Sequence, residues 1–253
     1  MKRGSEFGPW LAGLPLLLFL IFVPIALVAR GHSAFVPVLT KPDSYEAIGV
    51  SIRTTFLSLA LLVGFGTPLA AGLARVRSPW GVALETIIDL PLVLPPAAAG
   101  IGLLLAFGRE GLISTGLPFT AGAVVAAQLF VSAPLYVRAA TAAFRAVPDD
   151  VLAMGEIEGA GRRVRFFSLV LPLAAATLMS GAAMAWARAL GEFGATILFA
   201  GSLEGKTQTL PLAIYLGFET DLSQAIGLSL LLLLIAILVL GAARLLLAMR
   251  PAL

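Results

Sequence analysis

Six long apolar runs, at about 10–29, 54–74, 86–108, 117–137, 168–190 and 222–243, set the limits on what this chain can fold into. Roughly 20 helical residues cross about 30 Å of hydrocarbon, and each run is long enough. Inside a bilayer no water satisfies the backbone, so such runs must be helices that satisfy it themselves. The expected fold class is therefore all-α: a polytopic membrane protein of six transmembrane helices. Neither a break in composition nor an internal repeat divides it, so residues 1–253 read as a single transmembrane domain.

Composition points the same way. Hydrophobic residues make up 59% and charged residues 12%, with a mean hydropathy of +1.00; soluble domains average about 45–50% and 25%. The sequence has no Cys and no Asn, which excludes disulfides, thiolate metal sites, cysteine nucleophiles and N-glycosylation. A net charge of +3 and a pI near 9.7 raise nucleic acid as a partner. The basic residues, however, flank apolar runs and form no patch with interleaved aromatics, so they serve the membrane surface.

The first run follows Lys2 and Arg3. It is long for a signal-peptide core and lacks a small-residue cleavage site, so it reads as a retained anchor. Residues 30–50 are polar enough for an external loop with an interfacial helix around Tyr45. The third run holds DLPLVLPP, Asp89 to Pro96. Pro91, Pro95 and Pro96 lack a backbone donor and must disrupt the helix near mid-bilayer, which is tolerated only inside protein or beside a watery cavity. This span is expected to line a pathway. With the N-terminus inside, eleven Lys and Arg residues fall on internal segments and five on external ones. The positive-inside rule then places both termini in the cytoplasm.

One polar interval stands apart, VPDDVLAMGEIEGAGRRVRFFSLVLP, Val147 to Pro172. Pro148 suits a first helical turn, and Asp149 and Asp150 suit its positive end. A short helix to about Gly159 is expected. Gly155 and Gly159 share one face, and Val151, Met154 and Ile157 make another side apolar. Such a helix suits a groove on a partner. Arg162, Arg163 and Arg165 follow, where a cytoplasmic headgroup layer would hold them. The segment 147–167 is expected to be a cytoplasmic loop that presents this helix to a partner, with Glu158 beside Gly159 at the end of its helix.

This loop resembles the cytoplasmic "EAA" loop of ABC importer permeases. That signature is a Glu-Ala-Ala followed at fixed distances by a glycine and a proline, matched here by Gly159 and Pro172. Ala153, Met154 and Gly155 stand where the Glu-Ala-Ala would be. WARALGEFGATILFAG (186–201), TQTLPLAIY (207–215) and IIDLPLVLPPAAAGIGLLLAFGREGLI (87–113) resemble the molybdate/tungstate permeases and, less closely, the sulfate permeases. The likeness covers nearly all of the chain beyond the first run. It implies a type I importer permease fold in the cell inner membrane and a homodimer of six-span subunits. It further implies two cytoplasmic ABC ATPases docked on the two loops and an external binding protein that delivers a tetrahedral oxyanion. No cofactor is implied for this chain, since ATP and Mg belong to the partner ATPase. Asp149, Asp150, Val151, Met154, Gly155, Glu158, Gly159 and Arg162 are the expected coupling residues.

Arg188 and Glu192 lie one helical turn apart toward the outer end of the fifth run. One reading makes them, with Phe193 and Gly194, an outer gate in which the carboxylate neutralises the Arg so that a dianion is not trapped. The other makes them an interfacial anchor. Ionisable residues inside membranes favour the gate, and Gly191 and Gly194 permit close helix approach. Asp89 reads equally as a cap or a pathway residue.

Other signals carry less. AGSLEGKT, Ala200 to Thr207, fits a relaxed phosphate-loop pattern but follows a membrane span and runs into Leu210-Pro211, so the match is accidental. His32, the single histidine, falls in the first polar interval and supports no catalytic site. A stand-alone secondary transporter would need paired charges near mid-bilayer and repeated halves, and neither is found. A membrane enzyme would need a cluster of acids or a nucleophile with its base, for which there are too few ionisable residues.

Overall fold

The computed structural model describes residues 8–76 and 78–248. Lys2, Arg3, Arg77 and Arg250, which entered the charge count, lie outside the described residues. All the regular secondary structure among the described residues is helical: α1 Gly8–Val38, α2 Pro42–Leu73, α3 Pro79–Val93, α4 Pro96–Phe107, α5 Ala121–Arg145, α6 Asp149–Ile157, α7 Arg162–Arg165, a π-helical turn Phe166–Val170, α8 Leu171–Leu190, α9 Gly194–Phe199, α10 Leu210–Thr220 and α11 Leu222–Ala248. Five of these stretches are long and apolar enough to cross a membrane, and α3 and α4, bent by 114° at the break between them, are so only when taken together.

Residues 30–50 depart from expectation. Instead of an external loop, α1 runs on to Val38 and α2 begins at Pro42, which sits in its first turn where a missing N–H costs nothing. His32 is therefore helical and exposed. A low local hydropathy shows where lipid contact ends, and a helix need not end there.

The centre is α5, flanked by α2 and α8. Ala123, Ala127, Ala140 and Ala143 are buried along it, and small residues let neighbouring backbones close in. Tyr136 fills the space this leaves: it lies against Gly66, and its hydroxyl shares a 2.6 Å hydrogen bond with Thr67. A second cluster joins α4, α5 and α9 around Val124, Ala195 and Phe199. A third joins α1, α2, α10 and α11 around Val38, Leu210 and Leu228.

Several polar groups inside the helices are answered by backbone or side-chain hydrogen bonds. Thr54 and Thr55 donate to Val50 O and Ser51 O one turn back. Ser51 Oγ accepts from Leu210 N at 2.7 Å, satisfying an otherwise orphaned amide in the first turn of α10. Across the α1–α2 and α10–α11 turns, Lys41 Nζ donates to Asp221 and to Gln224, both at 2.9 Å. This contact lowers the Asp221 pKa, the Lys41 hydrogen bond being the main cause.

Candidate functional site

The polar segment after α5 folds as the short helix α6, with Asp149 and Asp150 in its first turn. Its end is a Schellman motif: Ala160 N donates to Gly155 O at 2.9 Å and Gly159 N to Glu156 O at 3.0 Å. Gly159 carries the required left-handed backbone, φ +74°, and a Cβ there would meet nothing within 4 Å. The need for glycine is therefore conformational and not steric.

Gly155 does a different job, and here the expected shared glycine face is corrected. It is buried against its own chain, where a Cβ would come within 2.8 Å of Leu169 Cδ1 and 3.2 Å of Arg165 Cγ. Arg165 Nη1 donates to Glu156 at 2.7 Å and to Leu152 O at 3.4 Å. Its guanidinium thus clamps α6 onto the helix that follows. The π-helical turn begins at Phe166, whose ring packs on Phe144 of α5 and Phe167 at 5.9 and 5.3 Å. The face of α6 left open carries Met154 and Ile157, 66% and 84% exposed. Val151 is half-buried, while Glu158 and Arg162 are exposed beyond the clamp.

The second expected locus is the break between α3 and α4. Pro95 pushes Leu94 out of the helical region, to φ −67° and ψ 129°, and Pro96 opens α4 in the first turn. Pro91 does not break the helix, since it sits inside the last turn of α3. Two of the three prolines therefore make the bend.

Those prolines meet the other expected gate residues. A Cβ on Gly194 would lie 2.6 Å from Pro96 Cβ, and one on Gly100 would lie 2.8 Å from Ala195 O, so the start of α4 and α9 touch nearly backbone to backbone. Glu192, 1% exposed, sits in the turn just before α9. Its Oε2 accepts from Arg188 Nη1 at 2.8 Å and its Oε1 from Ala195 N at 2.8 Å. A buried carboxylate is tolerated because a guanidinium and a helix N-terminus both answer it. The Phe193 ring packs on Tyr215 with centroids 5.0 Å apart.

Asp89 falls inside α3, too far along it to cap, and faces Arg138 Nε of α5 at 3.8 Å. Below it Glu85 accepts from Arg145 Nη2 at 2.5 Å. Neither pair is visible in the apolar runs, because the fourth run ends at 137 and leaves Arg138 and Arg145 as boundary charges. The Ala-rich stretch 139–143, a strong helix former, was the available signal that α5 continues.

The phosphate-loop pattern has no structural support. Leu203 O accepts from the amides of Lys206, Thr207 and Gln208, closing a turn, and the next helix starts only at Leu210. Among the described residues no group of three or more His, Cys, Asp or Glu could hold a metal ion.

Residues 64–248 match the family described as binding-protein-dependent transport system inner membrane component. The chain is 42% identical over 250 residues to the molybdenum transport system permease protein ModB of Mycobacterium tuberculosis, covering 94% of each. It is 37% identical over 188 residues to the molybdate/tungstate transport system permease protein WtpB of Thermococcus kodakarensis, covering 73% of this chain and 74% of that one. In fold it is similar to the inward-facing MetNI methionine ABC transporter, with TM-score 0.65 and 16% identity over 80% of this chain and 93% of that one. It is also similar to a bacterial ABC transporter that imports the acidic polysaccharide alginate, with TM-score 0.74 and 14% identity over 97% and 94%. The chain is thus a multi-pass membrane transport subunit and belongs to the family of binding-protein-dependent transport system inner membrane components.

Proposed function

We propose that this chain is the membrane-spanning permease of an ATP-driven importer of tetrahedral oxyanions, with molybdate or tungstate as cargo. Two copies enclose the passage, two cytoplasmic ABC ATPases grip the two α6 helices, and an external binding protein delivers the ion. ATP and Mg stay with the ATPases. Both termini face the cytoplasm in this arrangement, in keeping with the distribution of Lys and Arg.

The observation that carries the reading is α6 itself. It is a short helix with exposed Met154 and Ile157, held to the membrane helices by Arg165, the Gly155 notch and the Gly159 turn. A helix gripped by a closing ATPase moves a span only if the joint between them is stiff. The Phe144–Phe166 packing extends that joint to α5. ATP binding draws the two α6 helices together and tips the passage from inward-open to outward-open, a two-state change biased by a ligand.

At the outer end, the Glu192 turn and the Pro95-Pro96 break form the gate. A carboxylate already bonded to Arg188 keeps that cation from trapping a dianion, so recognition is left to the binding protein. Molybdate over sulfate rests on the names of the relatives. The test reconstitutes the chain with its ATPase and binding protein and compares hydrolysis stimulated by each ion. Molybdate and tungstate should stimulate and sulfate should not; stimulation by sulfate alone would reverse the assignment.

A further inference from the structure

Between α3 and α5 lies a cleft of about 550 Å³ in which charge is sorted by helix. Arg138, Thr141 and Arg145, three and then four residues apart, share one face of α5 and all line it. Glu85 and Asp89, one turn apart on α3, line the opposite wall. The lower pair, Arg145 and Glu85, is hydrogen-bonded. The upper pair is not: Arg138 Nε stands 3.8 Å from Asp89 Oδ1, which accepts no hydrogen bond among the described residues, and the Arg138 side chain is 65% exposed. The hydroxyl of Thr141, one turn from Arg138, is buried and likewise unpartnered among the described residues.

We infer that the Arg138–Thr141–Arg145 stripe is a binding track for a tetrahedral oxyanion, masked by the carboxylates of α3. The inference rests on the oxyanion-import reading. A guanidinium presents a planar fork of donors that matches oxyanion geometry, and a hydroxyl one turn away adds another donor. Arg138 is the free end of the track because its contact with Asp89 is ionic only. Asp89 sits roughly 15 Å along α3 from Pro79 at 1.5 Å per residue, a depth at which an ionisable pair marks a pathway. The mask can be lifted. Gly81 is the single buried residue of α3, the helix packs chiefly on α5, and it ends at the Leu94-Pro95 break. An ion that takes Arg138 leaves Asp89 facing it as a like charge, which favours release over retention.

The chemistry fits two sources, the transported ion or the phosphate of a lipid headgroup, and one experiment separates them. The sequence has no cysteine, so Ala142→Cys, on the cleft wall, gives a single reporter. In the assembled transporter in nanodiscs, its reaction with an uncharged maleimide is timed with and without molybdate, in phosphatidylcholine and in phosphatidylglycerol. Molybdate should slow labelling about threefold or more in phosphatidylcholine, roughly the effect of occupying the site most of the time. Arg138→Gln should cancel that protection, and Arg138→Lys, which keeps the charge without the planar fork, should keep part of it. Asp89→Asn should lower the molybdate needed for half-protection by about tenfold, as removal of a nearby like charge predicts. Slowing by phosphatidylglycerol to which molybdate adds nothing assigns the track to lipid phosphate. Labelling unchanged by either, or protection indifferent to Arg138→Gln, overturns the track. ATP-driven molybdate uptake by the same reporter is measured alongside. Uptake with unprotected labelling sinks the track alone, whereas no uptake of any oxyanion sinks the import reading.

Discussion

Gly159 and Gly155 serve one joint in different ways, and their variants should fail differently. At Gly159 the cost is backbone strain of about 1–2 kcal/mol for a side chain forced left-handed, more for a branched one. Gly159→Val should let the assembled transporter hydrolyse ATP while oxyanion uptake falls, measured as the ratio of uptake to hydrolysis in proteoliposomes. A normal ratio would deny the turn its role. At Gly155 any side chain must displace Leu169 and Arg165, so Gly155→Leu should weaken ATPase binding itself. Glu192 offers a sharper test of pairing. Arg188→Ala strands a carboxylate that is 1% exposed, a loss of about 3–5 kcal/mol. Adding Glu192→Gln removes the stranded charge while an amide oxygen can still accept from Ala195 N, so thermal unfolding of the double variant should recover much of the loss. Its uptake should stay impaired if the pair gates, and should return with stability if the pair only anchors.

Among the helices, the bend at Leu94-Pro95 is where local chemistry decides structure. Replacing Pro95 and Pro96 by Ala restores two amide donors and frees residue 94 to be helical. Spin labels on Leu84→Cys and Leu104→Cys should report a longer or broader distance in that double variant, and an unchanged distribution would show that packing against α9 alone sets the bend. The turn contact between Lys41 and Asp221 predicts an acid limit. Asp221 titrates below its ordinary 3.8 because of Lys41, so its contribution is present above that value and is lost as pH falls through the lower folded one. Unfolding temperatures followed from neutral to about pH 3 should fall less steeply in Asp221→Asn. The proline break was legible in the sequence because proline acts on its neighbours. So was the short helix α6, from Pro148 and the acids behind it. The full lengths of α1 and α2 were not, since Arg30 and Asp43 lower hydropathy without breaking a helix. The Gly194–Pro96 and Asp89–Arg138 contacts were not legible either, because each joins segments far apart in sequence through packing that no local pattern records.

Taken together, α5 is the fixed post, with α2 and α8 beside it, α6 hung from its end and the lightly held α3 across its polar stripe. In the proposed mechanism, force applied at Met154 and Ile157 passes through Arg165 and Phe166 into α8 and α5; the Glu192 turn follows α8, and the proline break between α3 and α4 meets that turn at Gly194. Import in that proposed mechanism therefore depends on a soluble ATPase seated on α6. The direct measurement is ATP-dependent accumulation of labelled molybdate in proteoliposomes holding the subunit, its ATPase and its binding protein, with Met154→Arg/Ile157→Arg run beside wild type. Wild type should accumulate the ion only with ATP, and the double variant should lose both the ATPase and the uptake. Accumulation that continues without the ATPase, or in the double variant, would contradict the account.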